Sequence, residues 1–263
     1  MKIATYNVNS IKARSHYLFD WLKNDALDIV FLQEIKCETE NFLYFECESL
    51  GYKVAALGQK GYNGVAILSK YDFVIENRNL PNFKDENSRY LEALIKHPKG
   101  DFYAISLYAP NGCSPDKHIE KEKLKYKLNW YSALYDRCSF LLKTGLPVIV
   151  GGDFNVMMED IDVYDVSVFK NSPLFIKEVK DHITSLHHLG LYDSFRFLHK
   201  KDEGYTFWDY SGNSFVTNLG LRIDYLLISA KFAEKLEEVY VDKKLRALEK
   251  PSDHTALVAK FRD

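Results

Sequence analysis

Short apolar segments that run into polar residues recur along this chain of 263 residues and constrain its fold more than any other feature. The clearest is residues 147–150, which lead directly into the sequence Gly-Gly-Asp-Phe-Asn of residues 151–155. A short apolar run bounded by glycine and polar residues is typical of a buried strand that ends at the rim of a sheet. The alternative is a plain turn, in which the glycines supply unusual backbone angles and Asp153 and Asn155 bond their own backbone.

The same pattern occurs in other apolar segments, in two directions. Polar residues follow segments 3–6, 27–32 and 102–107, whereas they precede segments 225–228 and 255–258. If the second group of strands is antiparallel to the first, the ends of one group meet the starts of the other at a single edge. The pattern then brings together the side chains of Asn7, Glu34, Tyr108, Asp153, Asn155, Asp224, Asp253 and His254.

A cluster of carboxylates at one edge requires a compensating charge, because like charges raise one another's pKa values. A hard divalent cation such as Mg²⁺ fits best, since it prefers oxygen ligands and keeps waters that a phosphate can displace. The chain has no run of cysteines and histidines spaced for a closed zinc site. Metal-assisted hydrolysis of a phosphoester is therefore the leading inference.

Composition decides little by itself, but it argues against several classes of protein. With 46% hydrophobic and 14% aromatic residues, the chain can build a large core and is not a disordered protein. No long apolar window or basic leader is present, so we expect no membrane span. Cys37, Cys47, Cys113 and Cys138 form no paired motif, which favours reduced thiols. We expect one domain over residues 1–263, acting as a monomer in the cytoplasm.

A formal net charge of −2 is not typical of a nucleic-acid binder, so any DNA contact must come from local basic patches. The lysine-rich segment of residues 117–127 has glutamates between its lysines. A solvated helix face is therefore as plausible there as a DNA-binding patch. Two shorter basic segments, 199–201 and 243–246, are further candidates. The lysines of the lysine-rich segment are Lys117, Lys121, Lys123, Lys125 and Lys127, and the basic residues of the other two are His199, Lys200, Lys201, Lys243, Lys244 and Arg246.

Three stretches between the apolar segments have apolar residues at helical spacing. These are residues 15–23, with Ser15 as the N-cap, and residues 124–142 and 172–189. Strands that alternate with helices, together with antiparallel pairs, favour two sheets packed face to face with helices outside.

Seven short motifs span nearly the whole chain in a fixed order. They are residues 1–10 (MKIATYNVNS), 32–36 (LQEIK), 62–69 (YNGVAILS), 108–112 (YAPNG), 152–155 (GDFN), 222–225 (RIDY) and 252–254 (SDH). Together they resemble the motifs of the exonuclease III family, the bacterial-type abasic-site (AP) endonucleases of the endonuclease/exonuclease/phosphatase superfamily. The resemblance implies the DNase I-like fold, a four-layer α/β sandwich with two mixed β-sheets packed face to face and helices outside.

The resemblance also implies roles for the polar residues. Glu34 is the principal metal ligand, because it leaves an apolar strand and an unpaired buried carboxylate would be costly. Asp153 orients or deprotonates the attacking water. His254, held by Asp224, acts either as a base or as a group that neutralises phosphate charge. The implied ligands of Mg²⁺, or of Mn²⁺, are Asn7, Glu34, Asp153, Asn155, Asp253 and His254, and the implied catalytic residues are Tyr108, Asp153, Asn155, Asp224 and His254.

Four residues are implied in substrate binding. Asn111 would contact a flanking phosphate, while Phe207, Trp208 and Leu221 would line an apolar pocket for a flipped-out abasic sugar. An ordinary core position is an equal alternative for Trp208. Some relatives have tryptophan where this chain has Leu221, which bears on how tight such a pocket is.

The expected activity is Mg²⁺-dependent cleavage on the 5′ side of abasic sites in duplex DNA. Removal of 3′ blocking groups and 3′ to 5′ exonuclease action are the related activities. The alternatives are a phosphatase for inositol phosphates, a non-specific nuclease, and a DNA-binding protein without catalysis. The intact set of carboxylates and His254 argues against the last of these.

Overall fold

The chain forms two six-stranded mixed sheets, as seen in a computed structural model that describes residues 1–113 and 120–262. The first sheet has the strand order β11-β12-β1-β2-β4-β3, and the second has the order β5-β6-β7-β8-β10-β9. The strands of the first are β1 (Lys2–Asn7), β2 (Ile29–Gln33), β3 (Lys53–Leu57), β4 (Val65–Ser69), β11 (Leu236–Asp242) and β12 (Ala256–Phe261). Those of the second are β5 (Asp72–Asn77), β6 (Tyr90–Lys96), β7 (Phe102–Tyr108), β8 (Val148–Asp153), β9 (Leu191–Asp193) and β10 (Asp224–Ser229).

Helices cover the outer face of each sheet. The seven α-helices of the described residues are α1 (Ile11–Asn24), α2 (Tyr44–Ser49), α3 (Lys121–Lys143), α4 (Val166–Phe169), α5 (Lys177–His188), α6 (Ser194–Leu198) and α7 (Ala230–Ala233). One apolar cluster joins α1 and α2 to the first sheet, and another joins α3 and α5 to the second. This arrangement confirms the four-layer α/β sandwich.

Both faces of the central strands are covered, which explains why their sequences are continuously apolar. In β2, Ile29 and Phe31 face the core between the two sheets, whereas Val30 and Leu32 face the core beneath α1. The alternation of side chains along a strand thus supplies two different cores from one short segment. Within residues 1–113 and 120–262, no helix is long and apolar enough to cross a membrane.

Helix boundaries differ from those expected. Helix α1 begins at Ile11, so Ser15 lies inside it and is not its N-cap. The residue before the helix is Ser10, whose φ of 89° lies outside the usual cap conformation and whose side chain makes no cap hydrogen bond. Helix α5 begins at Lys177 rather than near residue 172, while α3 matches its expected position closely.

Gly151 and Gly152 belong to strand β8 and do not form the turn considered above. They allow close packing: a Cβ atom at Gly151 would lie 2.3 Å from Cδ2 of Phe31 in the opposite sheet, and one at Gly152 would lie 2.0 Å from the carbonyl oxygen of Leu107. The left-handed backbone first occurs beyond the strand, at Asn155, with φ of 49°.

Strand directions bring the polar strand ends to one edge. Strands β7 and β8 are parallel and pair Tyr108 with Asp153, while antiparallel β10 pairs Asp224 with the same residue. In the other sheet, β1 and β2 are parallel and β12 is antiparallel to β1. The end of β1 and the start of β12 therefore face the same edge as the end of β8.

We expect Gly151→Ala to lower the free energy of unfolding by about 1–3 kcal/mol, because the added methyl group overpacks the core against Phe31. Denaturant unfolding measures this loss. The matched test is Phe31→Leu in the Gly151→Ala background, where the shorter side chain makes room and the combined loss is smaller than the sum of the two. Strict additivity would contradict this packing explanation.

Candidate active site

The site is centred on Asn7, which leaves β1 and contacts three other polar residues. Its Nδ2 donates to Oε1 of Glu34 at 2.8 Å and to Oδ2 of Asp153 at 3.0 Å, and lies 3.3 Å from Nε2 of His254. Asn7 and Asp153 are almost completely buried. One amide thus connects the first sheet to a carboxylate of the second.

His254 and Asp224 form a buried pair. Nδ1 of His254 lies 2.8 Å from Oδ2 of Asp224, and Nε2 lies 3.7 Å from Oδ2 of Asp153. Burial opposes the charged imidazolium, but Asp224 and Asp153 outweigh burial and raise the pKa of His254 to about 10. His254 is therefore a cation at neutral pH, with Nε2–H directed toward the centre of the site.

The pKa of Asp153 is raised as well, but the balance of causes differs. Burial raises its pKa above the usual range, the imidazolium of His254 opposes that shift, and the carboxylates of Asp224 and Glu34 add to it. A carboxylate with a raised pKa is a better proton acceptor than an exposed one.

Glu34 has two neighbours in addition to Asn7. Nζ of Lys36 lies 2.9 Å from Oε2 of Glu34, and Tyr108 is close enough for the Glu34 carboxylate to raise the pKa of its hydroxyl. Although burial opposes ionisation, Lys36 and Asn7 hold the pKa of Glu34 below its usual range. Burial, Glu34 and Asp153 raise the pKa of Tyr108 well above 10, so its hydroxyl stays protonated.

Asn155 is fixed on both its backbone and its side chain. Its backbone N–H donates to Oδ1 of Asp153 at 2.8 Å, and its Nδ2 donates to the carbonyl oxygen of Ala109 at 2.9 Å. Asn155 and Glu34 both adopt φ of 49°, a conformation that costs energy for residues other than glycine and often occurs at functional positions.

The donor set fits a metal ion. One ligand atom each from Glu34, Asp153 and His254 lie within 4.8 Å of one another. Two carboxylates with an amide beside them suit a hard divalent cation, and such a cation would offset the repulsion between the carboxylates. The His254 nitrogen would have to lose its proton to act as a ligand, so Glu34 and Asp153 are the better donors.

Comparison with known proteins places the chain in a family. The model of the endonuclease/exonuclease/phosphatase family matches residues 4–254. The chain belongs to this family.

Individual relatives cover the whole chain. The exodeoxyribonuclease III of Haemophilus influenzae is 32% identical over 270 residues, covering 100% of both proteins. Among solved structures, an AP endonuclease from Archaeoglobus fulgidus matches with a TM-score of 0.93 and 35% identity, and covers 100% of both chains. The 3′ phosphatase NExo from Neisseria, bound to a product DNA hairpin, matches with a TM-score of 0.92 and 34% identity, again over 100% of both chains.

In this member of the endonuclease/exonuclease/phosphatase family, Asp253 lies outside the group of Glu34, Asp153 and His254. Oδ1 of Asp253 accepts from Nδ2 of Asn9 at 2.8 Å. Its carboxylate acts on the site from a distance, by helping to raise the pKa of His254. A direct contact between Asp253 and the metal stays a prediction.

The aromatic residues expected to bind substrate separate into two groups. The ring of Phe207 is half-buried and packs edge-on against His254, with 5.0 Å between centroids. Trp208 is fully buried and packs against Phe215, which corrects its assignment as a pocket residue in favour of the core alternative. Leu221 is also buried, in an apolar cluster that Phe207 covers.

Asn111 is exposed and lies beside the site rather than in its centre. Its Oδ1 accepts from the backbone N–H of Cys113 at 3.1 Å. It lines a cleft of about 410 Å³ together with Arg89 and Lys123. The basic side chains make this cleft suitable for phosphate oxygens.

The basic residues proposed to contact DNA include both exposed and buried side chains. Lys121, Lys123 and Lys125 are exposed on α3, whereas Lys127 is completely buried, which corrects both its placement in a DNA-binding patch and its placement on a solvated face. Lys117 lies outside the described residues. Arg246 is buried too, and its Nη2 donates to the carbonyl oxygen of Trp208 at 3.0 Å.

The two short basic segments contain one structural histidine and four exposed lysines. His199 bonds Asp202 and the carbonyl oxygen of Val239, so it is a structural residue. The exposed lysines are Lys200, Lys201, Lys243 and Lys244.

Sequence reasoning missed several residues that shape the site. The hydroxyl of Ser252 donates to the backbone carbonyl oxygen of Asn7 at 2.7 Å and accepts from the backbone N–H of His254 at 3.2 Å. Lys36 and Ser252 stand inside motifs quoted above, so their motif positions were the available signal. Arg89, whose guanidinium lies 4.9 Å from the Tyr108 ring centre, had no such signal.

We expect the metal-free protein to show a His254 imidazole that titrates near pH 10, well above the value of about 6.5 for a free histidine. Because the folded pKa is raised, this group stabilises the fold fully below about pH 6.5 and loses that contribution as the pH rises toward 10. NMR titration of the imidazole signals measures the pKa. Asp224→Asn should shift it downward, and an unchanged value would contradict the role of Asp224.

Proposed function

We propose that this protein is a metal-dependent phosphodiesterase of DNA repair. It would cut the backbone on the 5′ side of abasic sites in duplex DNA, remove groups that block 3′ ends, and degrade DNA from 3′ to 5′. The observation that supports this most is the cluster of Asn7, Glu34, Asp153 and His254, with Asp224 behind it. The named activities of the H. influenzae, A. fulgidus and Neisseria relatives support the same reaction class.

The residues have complementary tasks in the proposed reaction, in which a water attacks the phosphorus and the bond to the leaving oxygen breaks. Asp153 takes the proton from the water, because burial raises its pKa. The His254 imidazolium donates from Nε2 to a phosphate oxygen and neutralises the charge that develops there. Of the two roles inferred for His254 from the sequence, its raised pKa favours this one over that of a base.

Asn155 and Tyr108 add hydrogen-bond donors to the phosphate. One N–H of the Asn155 amide is used by Ala109, which leaves the second for a phosphate oxygen. The Tyr108 hydroxyl stays protonated, so it can donate a hydrogen bond to a phosphate oxygen of the substrate.

We infer that the metal is Mg²⁺, with Mn²⁺ as a substitute, and that Glu34 and Asp153 hold it with support from Asn7. A bound divalent ion would supply charge stabilisation at the phosphate. The proposed substrates are duplexes with abasic sites or blocked 3′ ends, with Phe207 beside the sugar and Asn111 beside a flanking phosphate. Of the residues expected to line the apolar pocket, Phe207 packs against His254. Leu221 pairs with Phe207 through the backbone.

We further propose that residues 1–263 act as one domain and as a monomer. The family match over residues 4–254 supports the single domain. The buried cysteines Cys37, Cys47 and Cys138 form no disulfide, as in proteins of a reducing compartment, and we propose the cytoplasm as that compartment.

Asp153→Asn and His254→Ala should each lower cleavage by about three orders of magnitude or more while leaving the fold intact, because each removes a group that acts on the transition state. Cleavage is measured on duplexes with an abasic analogue, a 3′ phosphate or a recessed 3′ end. Asp181→Asn and His188→Ala are the matched controls, since both residues are exposed on α5. Turnover close to normal in either site variant would refute the assignment.

Chelation should abolish cleavage, and Mg²⁺ or Mn²⁺ should restore it. Added Mg²⁺ should also raise the melting temperature of the wild-type protein, because an ion that binds the folded state stabilises it. This rise should be largely lost in Glu34→Gln and kept in Glu48→Gln, which changes an exposed glutamate. Equal cleavage with and without chelator would exclude the metal mechanism.

A further inference from the structure

Lys127 is a buried lysine whose amino group is used entirely by the backbone. It lies on α3, and its Nζ donates to the carbonyl oxygens of Asn155 at 2.7 Å, Pro173 at 2.9 Å and Asn111 at 3.1 Å. An ammonium group has three N–H donors, and three carbonyl groups accept them. Lysine is rarely buried without such partners, since transferring its charge from water is costly.

The three carbonyl groups come from segments that are far apart in the sequence. Asn111 follows β7, Asn155 follows β8, and Pro173 precedes α5; all three lie outside helices and strands. Buried carbonyl groups in irregular segments need donors from elsewhere. Lys127 supplies these donors from a rigid helix.

The segment after β8 depends on such side-chain donors throughout. The hydroxyl of Tyr131, one turn beyond Lys127 on α3, donates to the carbonyl oxygen of Phe154. The hydroxyl of Tyr225 donates to that of Val156 at 2.9 Å. Three consecutive carbonyl groups, at residues 154–156, are therefore each held by a buried side chain, and Lys127 holds the middle one.

That middle residue is Asn155, which stands in a left-handed conformation. Asp153 binds its N–H, Ala109 binds its side chain, and Lys127 binds its carbonyl oxygen. Because a residue in such a conformation needs support from its surroundings, removal of one of these contacts lets the amide shift.

We propose that Lys127 is a positioning residue that sets the orientation of the Asn155 amide at the scissile phosphate. The inference rests on the role proposed above for Asn155. Lys127 itself does not reach the substrate, since it is fully buried and its Nζ points at backbone oxygens. It also packs against the loop that carries Asn111: a Cβ atom at Gly112 would lie 3.0 Å from Cδ of Lys127.

Lys127→Met tests this, because methionine keeps the apolar stem and removes the donors. We expect kcat on an abasic duplex to fall by about 10- to 100-fold, as for a displaced catalytic group. KM should change by less than about threefold, since the interaction acts in the transition state. Lys143→Met, an exposed change at the other end of α3, should retain wild-type kcat.

A double-mutant cycle separates positioning from a general structural effect. In the Asn155→Ala background, Lys127→Met should lower kcat by less than about threefold further, because the group through which Lys127 acts is already gone. If Lys127→Met does not fold, Lys127→Arg takes its place in the cycle, since it keeps a cation but presents a different donor geometry.

The possible results distinguish the two proposals. An Asn155→Ala protein with wild-type kcat would refute the role of Asn155 itself. An impaired Asn155→Ala protein in which the Lys127 substitution still causes its full loss of kcat would refute action through Asn155. Unchanged kcat in a folded Lys127→Met protein would refute the inference directly.

Discussion

The compensation of two buried carboxylates where the sheets meet is the constraint on which the rest of the structure depends. Asp153 and Asp224 lie side by side on β8 and β10 of the second sheet, and both are almost completely buried. An unpaired buried charge would be costly, so the first sheet must supply partners. It does so with the Asn7 amide and the His254 imidazolium, which donate across the gap between the sheets.

The same contacts therefore join the sheets and prepare the chemistry. Elsewhere the sheets meet through apolar side chains such as Phe31 and Leu226, which lie against Gly151 of β8. At the edge, the apolar contact gives way to a polar junction in which the pKa values of both Asp153 and His254 are raised. Displaced pKa values of this kind provide an acceptor at Asp153 and a donor at His254 at neutral pH.

The sequence predicted the strands well because a strand covered on both faces is continuously apolar and ends abruptly in polar residues. That pattern identified Asn7, Glu34, Asp153, Asp224 and His254, and the structure places them together. Residues whose role depends on which face of an element they occupy were harder to predict. Lys127 was expected either in a DNA-binding patch or on a solvated helix face, because a charged residue near the start of an amphipathic helix has no local signal of burial.

The aromatic and acidic residues also show that the local sequence does not reveal which way a side chain points. Phe207 and Trp208 are neighbours of similar character, yet only Phe207 lies against His254, since successive residues of an extended chain point in opposite directions. Asp253 directly precedes His254, yet its carboxylate accepts from Asn9 while His254 contacts Asp224.

The sequence by itself therefore determined the fold class, the family and the set of polar residues at one sheet edge, because these follow from hydrophobic periodicity and from motifs in fixed order. Only the tertiary structure decided which of those residues face one another, which stay charged, and which hold the backbone in place. Those properties depend on burial and on distances between segments far apart in the chain, such as Lys127 and Asn155, and local sequence does not encode them.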